Sequence, residues 1–430
     1  MGANGRSRTS AGVDSIREQD MTDISRRIML KATGGLAASV AAPAVIKSRA
    51  FAADTIEVGA LHDSSGSHSI YGKEMDDAVK LAVEEINAAG GVLGKQINLS
   101  AFDTGSNMQN YAQFAQRLVT SQKASVVFGG VSSASREVIR PIFSRFKTLY
   151  FYNTFYEGGV CDKNTFVMAE TPAQMISPSM TQLIKSKGIK RIYTMWADYN
   201  YGYICSTWLE KLAQEHGAEL IEKEFFPLDV TDFSATITKI QDAEPDLVVS
   251  GLVGGNHIGF YRQWPAAGML GRIPVHCTVF GPWEKNLLQA SEIEGLTTSY
   301  HYYQPIESAA NTAFLDRWAK RFGADHPEIG TLAVCSYNAV HIWKKAVEAV
   351  GSLDREEIIA ALETGIGFDG PGGHMKVHRE THHAVMPIAL AEVRDGAFKI
   401  IDERENVEPA DTVAVCDLIA NPNLSTQFQP

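Results

Sequence analysis

The chain has 430 residues, 39 Lys and Arg against 50 Asp and Glu, and a formal charge of −11. Residues 1–52 hold eight of the basic and four of the acidic residues, so the remainder keeps 31 basic and 46 acidic residues and is more acidic still, at −15. That balance excludes nucleic acid and an anionic membrane surface as partners, and the roughly 378 residues after position 52 suit two domains.

Ser25-Arg26-Arg27-Ile28-Met29-Leu30-Lys31, the apolar stretch Gly34 to Val45 and the small-residue site Ala50-Phe51-Ala52 follow the order of a twin-arginine export signal. The mature chain is expected to start near Ala53 in the periplasm, with Met21 an alternative start for the whole. No later apolar run reaches the length needed to cross a bilayer, so the mature chain is not expected to be membrane-embedded. The five cysteines (Cys161, Cys205, Cys277, Cys335, Cys416) lack CxxC or metal-finger spacing. Their odd number leaves at least one unpaired, and a fold that does not depend on disulfides is expected.

Strand Ile56–Leu61 is followed by a helix from Tyr71 to Ala89, with Val79, Leu81, Ala82, Val83 and Ile86 at helical spacing and a stop at Gly90-Gly91. Strand Gln96–Phe102, helix Asn110–Ser121, strand Ala124–Phe128, helix Ser135–Phe146 and strand Leu149–Tyr152 come next. After Thr171-Pro172 the alternation restarts with helices at 177–187, 203–216, 233–243 and 256–267 between strands at 191–196, 219–226, 246–252 and 275–279. Such alternation builds parallel sheets covered on both faces. Residues 294–303 read as extended, helices at 312–322 and 333–350 are expected to return to the first sheet, and Asp395-Gly396 marks a hairpin within 385–401. The predicted fold is α/β, two doubly wound parallel-sheet lobes joined by a three-crossing hinge near Pro172, Tyr302 and Phe368. Lobe 1 takes 53–172 and 303–368, lobe 2 takes 173–302 and 369–430, and the ligand lies in the cleft.

Ligands of open parallel sheets bind beyond the carboxyl ends of the strands. Two adjacent strand ends carry Ser132 and Ser133 before a helix and Tyr152, Thr154 and Tyr156 after a strand. They offer hydroxyls, aromatic faces and first-turn N–H groups. Ser before a helix is most often a cap, and aromatic residues are common in buried strands, but caps and ligand contacts are compatible. On the second lobe, Tyr199 and Tyr201 read as a lid in a loop, although Asp198 and Asn200 would also suit a capped turn. Gly254 and Asn256 mark a third strand end, and Glu284 a fourth, where an acid could accept N–H donors or simply favour a helix start. His374, His378, His382 and His383 are expected to be solvated on a hairpin; no metal and no cofactor is expected. There is no GxSxG, phosphate loop, HExxH or GxGxxG after the first strand.

Ser132-Ser133-Ala134-Ser135-Arg136, Tyr152-Asn153-Thr154-Phe155-Tyr156-Glu157-Gly158, Thr171-Pro172-Ala173-Gln174, Ala197-Asp198-Tyr199-Asn200-Tyr201, Pro227-Leu228 with Thr231-Asp232-Phe233-Ser234, and Phe368-Asp369-Gly370-Pro371-Gly372-Gly373 resemble, over roughly 55–400, the type I periplasmic solute-binding proteins of the branched-chain-amino-acid class. More narrowly the chain is similar to the urea- and short-chain-amide-binding branch. The resemblance implies a non-enzymatic receptor that closes on a small neutral nitrogenous solute and delivers it to the transmembrane subunits of an ABC permease. It implies that Ser133, Tyr152 and Thr154 hold the solute and that Tyr199 and Tyr201 close over it. Val131 and Asn153 stand where the amide sensor of that branch has tyrosine and proline. A branched-chain or other amino-acid receptor is the alternative, needing Asp198 or Glu284 for the ammonium group; an exported amidase is a minor one.

Overall fold

The computed structural model describes residues 55–429; the export signal and the start of the mature chain lie outside them. The first sheet is built from Ile56–His62 (β1), Ile97–Asp103 (β2), Val126–Gly129 (β3), Leu149–Tyr152 (β4) and, after the short Val160–Asp162 (β5), Thr165–Val167 (β6). It runs β2-β1-β3-β4-β6, parallel throughout. Successive strand residues point to opposite faces. Val126, Phe128, Leu149 and Phe151 therefore pack under the helices Ser69–Ala88 and Thr331–Val350. Val127, Tyr150 and Tyr152 pack under Met108–Arg117 and Ser133–Phe146.

The second sheet contains Arg191–Ala197 (β7), Glu219–Phe226 (β8), Leu247–Gly251 (β9), Val275–Cys277 (β10), Thr297–Tyr300 (β11), Gly367–Gly370 (β12), Gly373–Val377 (β13) and Ala384–Arg394 (β14), with Ala397–Val407 (β15) paired to β14. Its order is β8-β7-β9-β10-β11-β14-β13-β12; β7 to β11 are parallel and β14 joins β11 antiparallel. Asp395 and Gly396 both have positive φ (53° and 72°), as the two-residue hairpin turn between β14 and β15 requires.

Four passages, not three, link the lobes. Residues 169–175 and 300–303 provide the first two, moving from one core to the other. The third is β14, whose Met386 and Ile388 belong to the first core while Ala389, Ala391 and Val393 belong to the second. The paired β15 makes the return, from Phe398 in the second core to Val407 against the first. Phe368 is no crossing: it lies in β12, stacked on His341 of the helix Thr331–Val350 at 4.5 Å.

The chain after β15 also departs from its expected place in lobe 2. Cys161 and Cys416 form a disulfide, and Ser425–Gln427 (β16) pairs with β5, so the tail packs on the first lobe. Cys205, Cys277 and Cys335 are free and buried. Spacing could not name this pair, because the two cysteines meet 255 residues apart, and whether the fold depends on the bond is a separate question from its presence. His382 and His383 are fully buried rather than solvated, stacked on Phe166 and Tyr156 respectively. No helix among the described residues is long and apolar enough to cross a membrane.

Candidate functional site

Between the lobes lies a narrow cavity whose wall includes Ser132, Ser133, Tyr152, Thr154, Tyr199 and Tyr201. A water-sized sphere can move its centre through only about 30 Å³ of it. His68, whose burial lowers its pKa and favours the neutral ring, and Tyr71, Val131, Phe155 and Leu332 complete the first-lobe side; Val253 and Val279 complete the second.

Ser132 has extended backbone (φ −117°, ψ 161°) and caps the helix Ser133–Phe146 through a reciprocal box with Ser135: its Oγ accepts the Ser135 N–H at 3.2 Å, and Ser135 Oγ accepts the Ser132 N–H at 3.0 Å. The cap and the cavity wall are thus the same residue. Helix geometry leaves the first-turn N–H groups of Ser133 and Ala134 without acceptors inside the helix, and the helix dipole favours a partial negative charge there.

The Ser133 hydroxyl donates to Glu157 Oε2 at 2.6 Å. Glu157 Oε1 accepts from Arg136 Nη2 at 2.8 Å and from Gln427 Nε2, on the C-terminal tail, at 2.7 Å. All of Arg136 and Glu157 is buried. Burial alone would raise the Glu157 carboxyl; the Arg136 guanidinium and the bonds from Gln427 and Ser133 outweigh it and hold it below its ordinary value. Arg136 also lies 5.2 Å from the centre of the Tyr152 ring and 4.7 Å from that of Tyr156. Thr154 donates its hydroxyl proton to the Gly130 carbonyl at 3.0 Å.

On the second lobe, Tyr199 and Tyr201 stack with ring centres 6.0 Å apart. They do not form a lid loop. The helix Asn200–Glu215 begins directly after β7, so Tyr199 is its N-cap and Tyr201 lies in its first turn. Tyr201 donates to Thr278 Oγ1 at 2.9 Å, which fixes its ring against the cavity.

Gly254, Asn256 and Glu284 are not brought to the cavity wall. Asn256 donates to the Pro227 and Val230 carbonyls at 3.0 and 2.6 Å and holds that loop. Glu284 sits behind Tyr71, accepting the Tyr71 hydroxyl at 2.7 Å and the Gly281 N–H at 2.9 Å. Burial pushes its pKa up to about 7, and drives neighbouring His257, 4.0 Å away, down to about 3, so that histidine is neutral. Gly254 donates its N–H to the same tyrosine oxygen at 3.2 Å. Tyr71 therefore links the first helix of lobe 1 to two strand ends of lobe 2.

Tyr156, expected at the crevice, turns the other way: its hydroxyl meets His383 Nε2 and accepts the Val160 N–H at 3.1 Å. Alternation along the segment after β4 could not fix this, because the segment is irregular there. Tyr71 was missed as a wall residue although the helix bearing it follows the first strand end, where the strand-end rule already points. Asp198 is exposed and accepts from the Tyr203 hydroxyl, away from the cavity. No acid reaches the cavity wall, and no cluster of metal-ligating side chains occurs among the described residues.

A profile described as periplasmic binding protein matches residues 55–397. Leu/Ile/Val-binding protein homolog 6 of Brucella melitensis is 22% identical over 359 residues, covering 80% of this chain and 90% of that protein. Homolog 8 of Brucella suis is 28% identical over 259 residues, 56% of this chain and 61% of that one. Among solved structures, the branched-chain amino acid transporter substrate binding protein LivJ of Streptococcus pneumoniae, in complex with isoleucine, superposes with a TM-score of 0.71 at 22% identity, covering 82% of this chain and 99% of that one. A solute binding protein of an ABC transporter from Rhodopseudomonas palustris HaA2, in complex with p-hydroxybenzoic acid, gives 0.75 at 23%, covering 83% and 98%. The two-lobed α/β fold is that of these structures, and the chain belongs to the periplasmic binding protein family, in its type I, branched-chain-amino-acid class.

Proposed function

We propose that this chain is the periplasmic receptor of an ABC importer, exported by the twin-arginine route, and that it captures urea or a short-chain amide between its lobes and releases it chemically unaltered to the permease. The observation that carries the solute class is the size of the cavity. On the same measure a single water needs about 10–15 Å³, so about 30 Å³ corresponds to two or three waters. Urea, formamide and acetamide come nearer to that size than an isoleucine side chain or a benzoate ring.

The composition of the wall supports the same reading. Hydroxyls of Ser133 and Thr154, first-turn N–H groups and tyrosine rings offer donors and acceptors without a net charge, which matches a neutral solute carrying one carbonyl and N–H groups. Enclosing a solute that leaves any of these unpaired costs about 1–3 kcal/mol for each group. The names of the relatives favour an amino acid, but its ammonium group would require an acid at the wall, and Glu284 is already engaged by Tyr71. Closure of two hinged lobes supplies the mechanism: contacts from both sides favour the closed form. The disulfide between Cys161 and Cys416 suits an oxidising exported compartment.

Titration calorimetry with urea, formamide, acetamide, isoleucine and benzoate tests the reading. Heat from at least one of the first three is expected; heat from isoleucine or benzoate alone would sink it.

A further inference from the structure

The Ser133 hydroxyl has one proton, and the structure commits it. It points at Glu157 Oε2, 2.6 Å away and away from the cavity. What Ser133 Oγ turns to the cavity is therefore lone-pair density. Thr154 repeats the arrangement, spending its proton on the Gly130 carbonyl at 3.0 Å. On the same first-lobe wall, the two oxygens accept N–H groups and repel another acceptor.

We propose that Glu157 is a specificity-determining positioning residue: by taking the Ser133 proton it makes the wall an acceptor for the solute N–H groups, and so admits carboxamides and urea while rejecting the isosteric carboxylates. This rests on the receptor reading above and names what sorts its solutes. Three partners keep Glu157 in the state the role requires: Arg136 at 2.8 Å, Gln427 at 2.7 Å and Ser133 itself. Their effect is to hold the carboxyl ionised despite its burial, as its lowered pKa indicates. Arg136 cancels the charge of Glu157, so the selection works through the hydrogen-bond polarity of the two oxygens, against the helix start, whose field favours a negative group. If a carboxylate entered, either Ser133 would keep its bond to Glu157 and face the solute with lone pairs, or it would turn and leave Glu157 facing a bare Ser133 oxygen. An amide meets neither penalty, because its NH2 group donates.

Acetamide and acetate are the matched pair for the test, since they differ in NH2 against O−. Calorimetry on the full mature protein should show acetamide bound at least about 100-fold more tightly than acetate, the cost of unpaired or opposed polar groups in an enclosed site. Ser133→Ala should weaken acetamide about tenfold and leave acetate unchanged or tighter, as expected for loss of an acceptor. Glu157→Gln should narrow the acetamide-over-acetate ratio at least about tenfold by freeing the Ser133 proton. Because that variant strands Arg136, the Ser133→Ala result stands as evidence even if it fails to fold. Equal loss of both solutes in Ser133→Ala, or a ratio near one in the wild type, would overturn the proposal. Should the wild type take no amide at all, the receptor reading fails and the selectivity with it, while infrared difference spectra without solute still decide whether Glu157 takes the Ser133 proton. The Glu157 carboxylate stretch, assigned by its loss in Glu157→Gln, should shift in Ser133→Ala; an unshifted band would overturn it.

Discussion

The first-lobe wall of the cavity carries Ser132, Ser133 and Thr154, and the second-lobe wall carries Tyr199, Tyr201, Val253 and Val279. The first three are polar groups whose own hydrogen bonds are tied down by Ser135, Glu157 and Gly130. The second set is aromatic and aliphatic, and its one fixed hydroxyl, on Tyr201, is directed to Thr278 rather than to the cavity. On the receptor reading proposed above, one wall presents hydrogen-bonding groups of set polarity and the other covers them and excludes water. Recognition and enclosure are therefore separable by mutation, and the two lobes should answer differently to it.

The largest effect is expected from the tail that supports the polar wall. The disulfide between Cys161 and Cys416 closes a loop of 255 residues, and the tail beyond it brings Gln427 to Glu157. Cys416→Ser should lower stability by about 2–4 kcal/mol in denaturant melts and reduce preference for acetamide over acetate. Enclosure by the second-lobe wall should persist, so some acetamide affinity remains. Loss of all binding in a folded variant would show that the two walls are not separable.

Thr154→Val comes next. It keeps the shape and removes the oxygen that faces the solute N–H, so acetamide affinity should fall by about 1–3 kcal/mol in calorimetry. The melt should change less, by about the worth of the single bond to Gly130, about 1 kcal/mol. An unaltered affinity would remove Thr154 from the recognising wall.

A smaller effect links the walls across the cleft. Glu284 lies on lobe 2, beneath Tyr71 of lobe 1, and burial raises its pKa from 4.5 to about 7. If opening withdraws Tyr71 and exposes Glu284, its carboxyl returns to its ordinary value. The closed form therefore holds a proton that the open form has lost between those two values, and closure takes up a proton there. Solute affinity should fall as pH rises from about 5 to 7, by at most about tenfold per unit for one proton, and level off above. Calorimetry in two buffers of different ionisation enthalpy counts the proton, and a count of zero at pH 6 would detach Glu284 from closure.

The architecture was legible because strand and helix periods are local. The strand pattern of 149–152 and 191–197 and the turn residues Asp395 and Gly396 each declare themselves within a few positions. The polar wall was legible too, since Ser132, Ser133 and Thr154 sit at strand ends, where sheet topology puts ligands. What could not be read was everything set by contacts distant in sequence. Gln427 reaches Glu157 across 270 residues, and Tyr71 meets Glu284 across 213. Nor could the sequence show that Asn256 and Glu284, rightly placed at strand ends, would spend their polar atoms on Pro227, Val230 and Tyr71 instead of the cavity.

The smallest expected effect sharpens the comparison most. Tyr201→Phe deletes a hydroxyl whose proton goes to Thr278 at 2.9 Å, and leaves the ring that covers the cavity. Stability should fall by about 0.5–1.5 kcal/mol, the usual net worth of one hydrogen bond, because Thr278 is buried and loses its donor. Solute affinity should change less than about twofold, well below one hydrogen bond's worth, if this wall serves only to enclose. Tyr201→Ala is the counterpart: it removes the cover and admits water, so affinity should drop while the acetamide-over-acetate ratio set on the opposite wall stays as in the wild type. A large loss of affinity in Tyr201→Phe would mean that its hydroxyl turns from Thr278 to the solute on binding, and that the second lobe recognises as well as encloses.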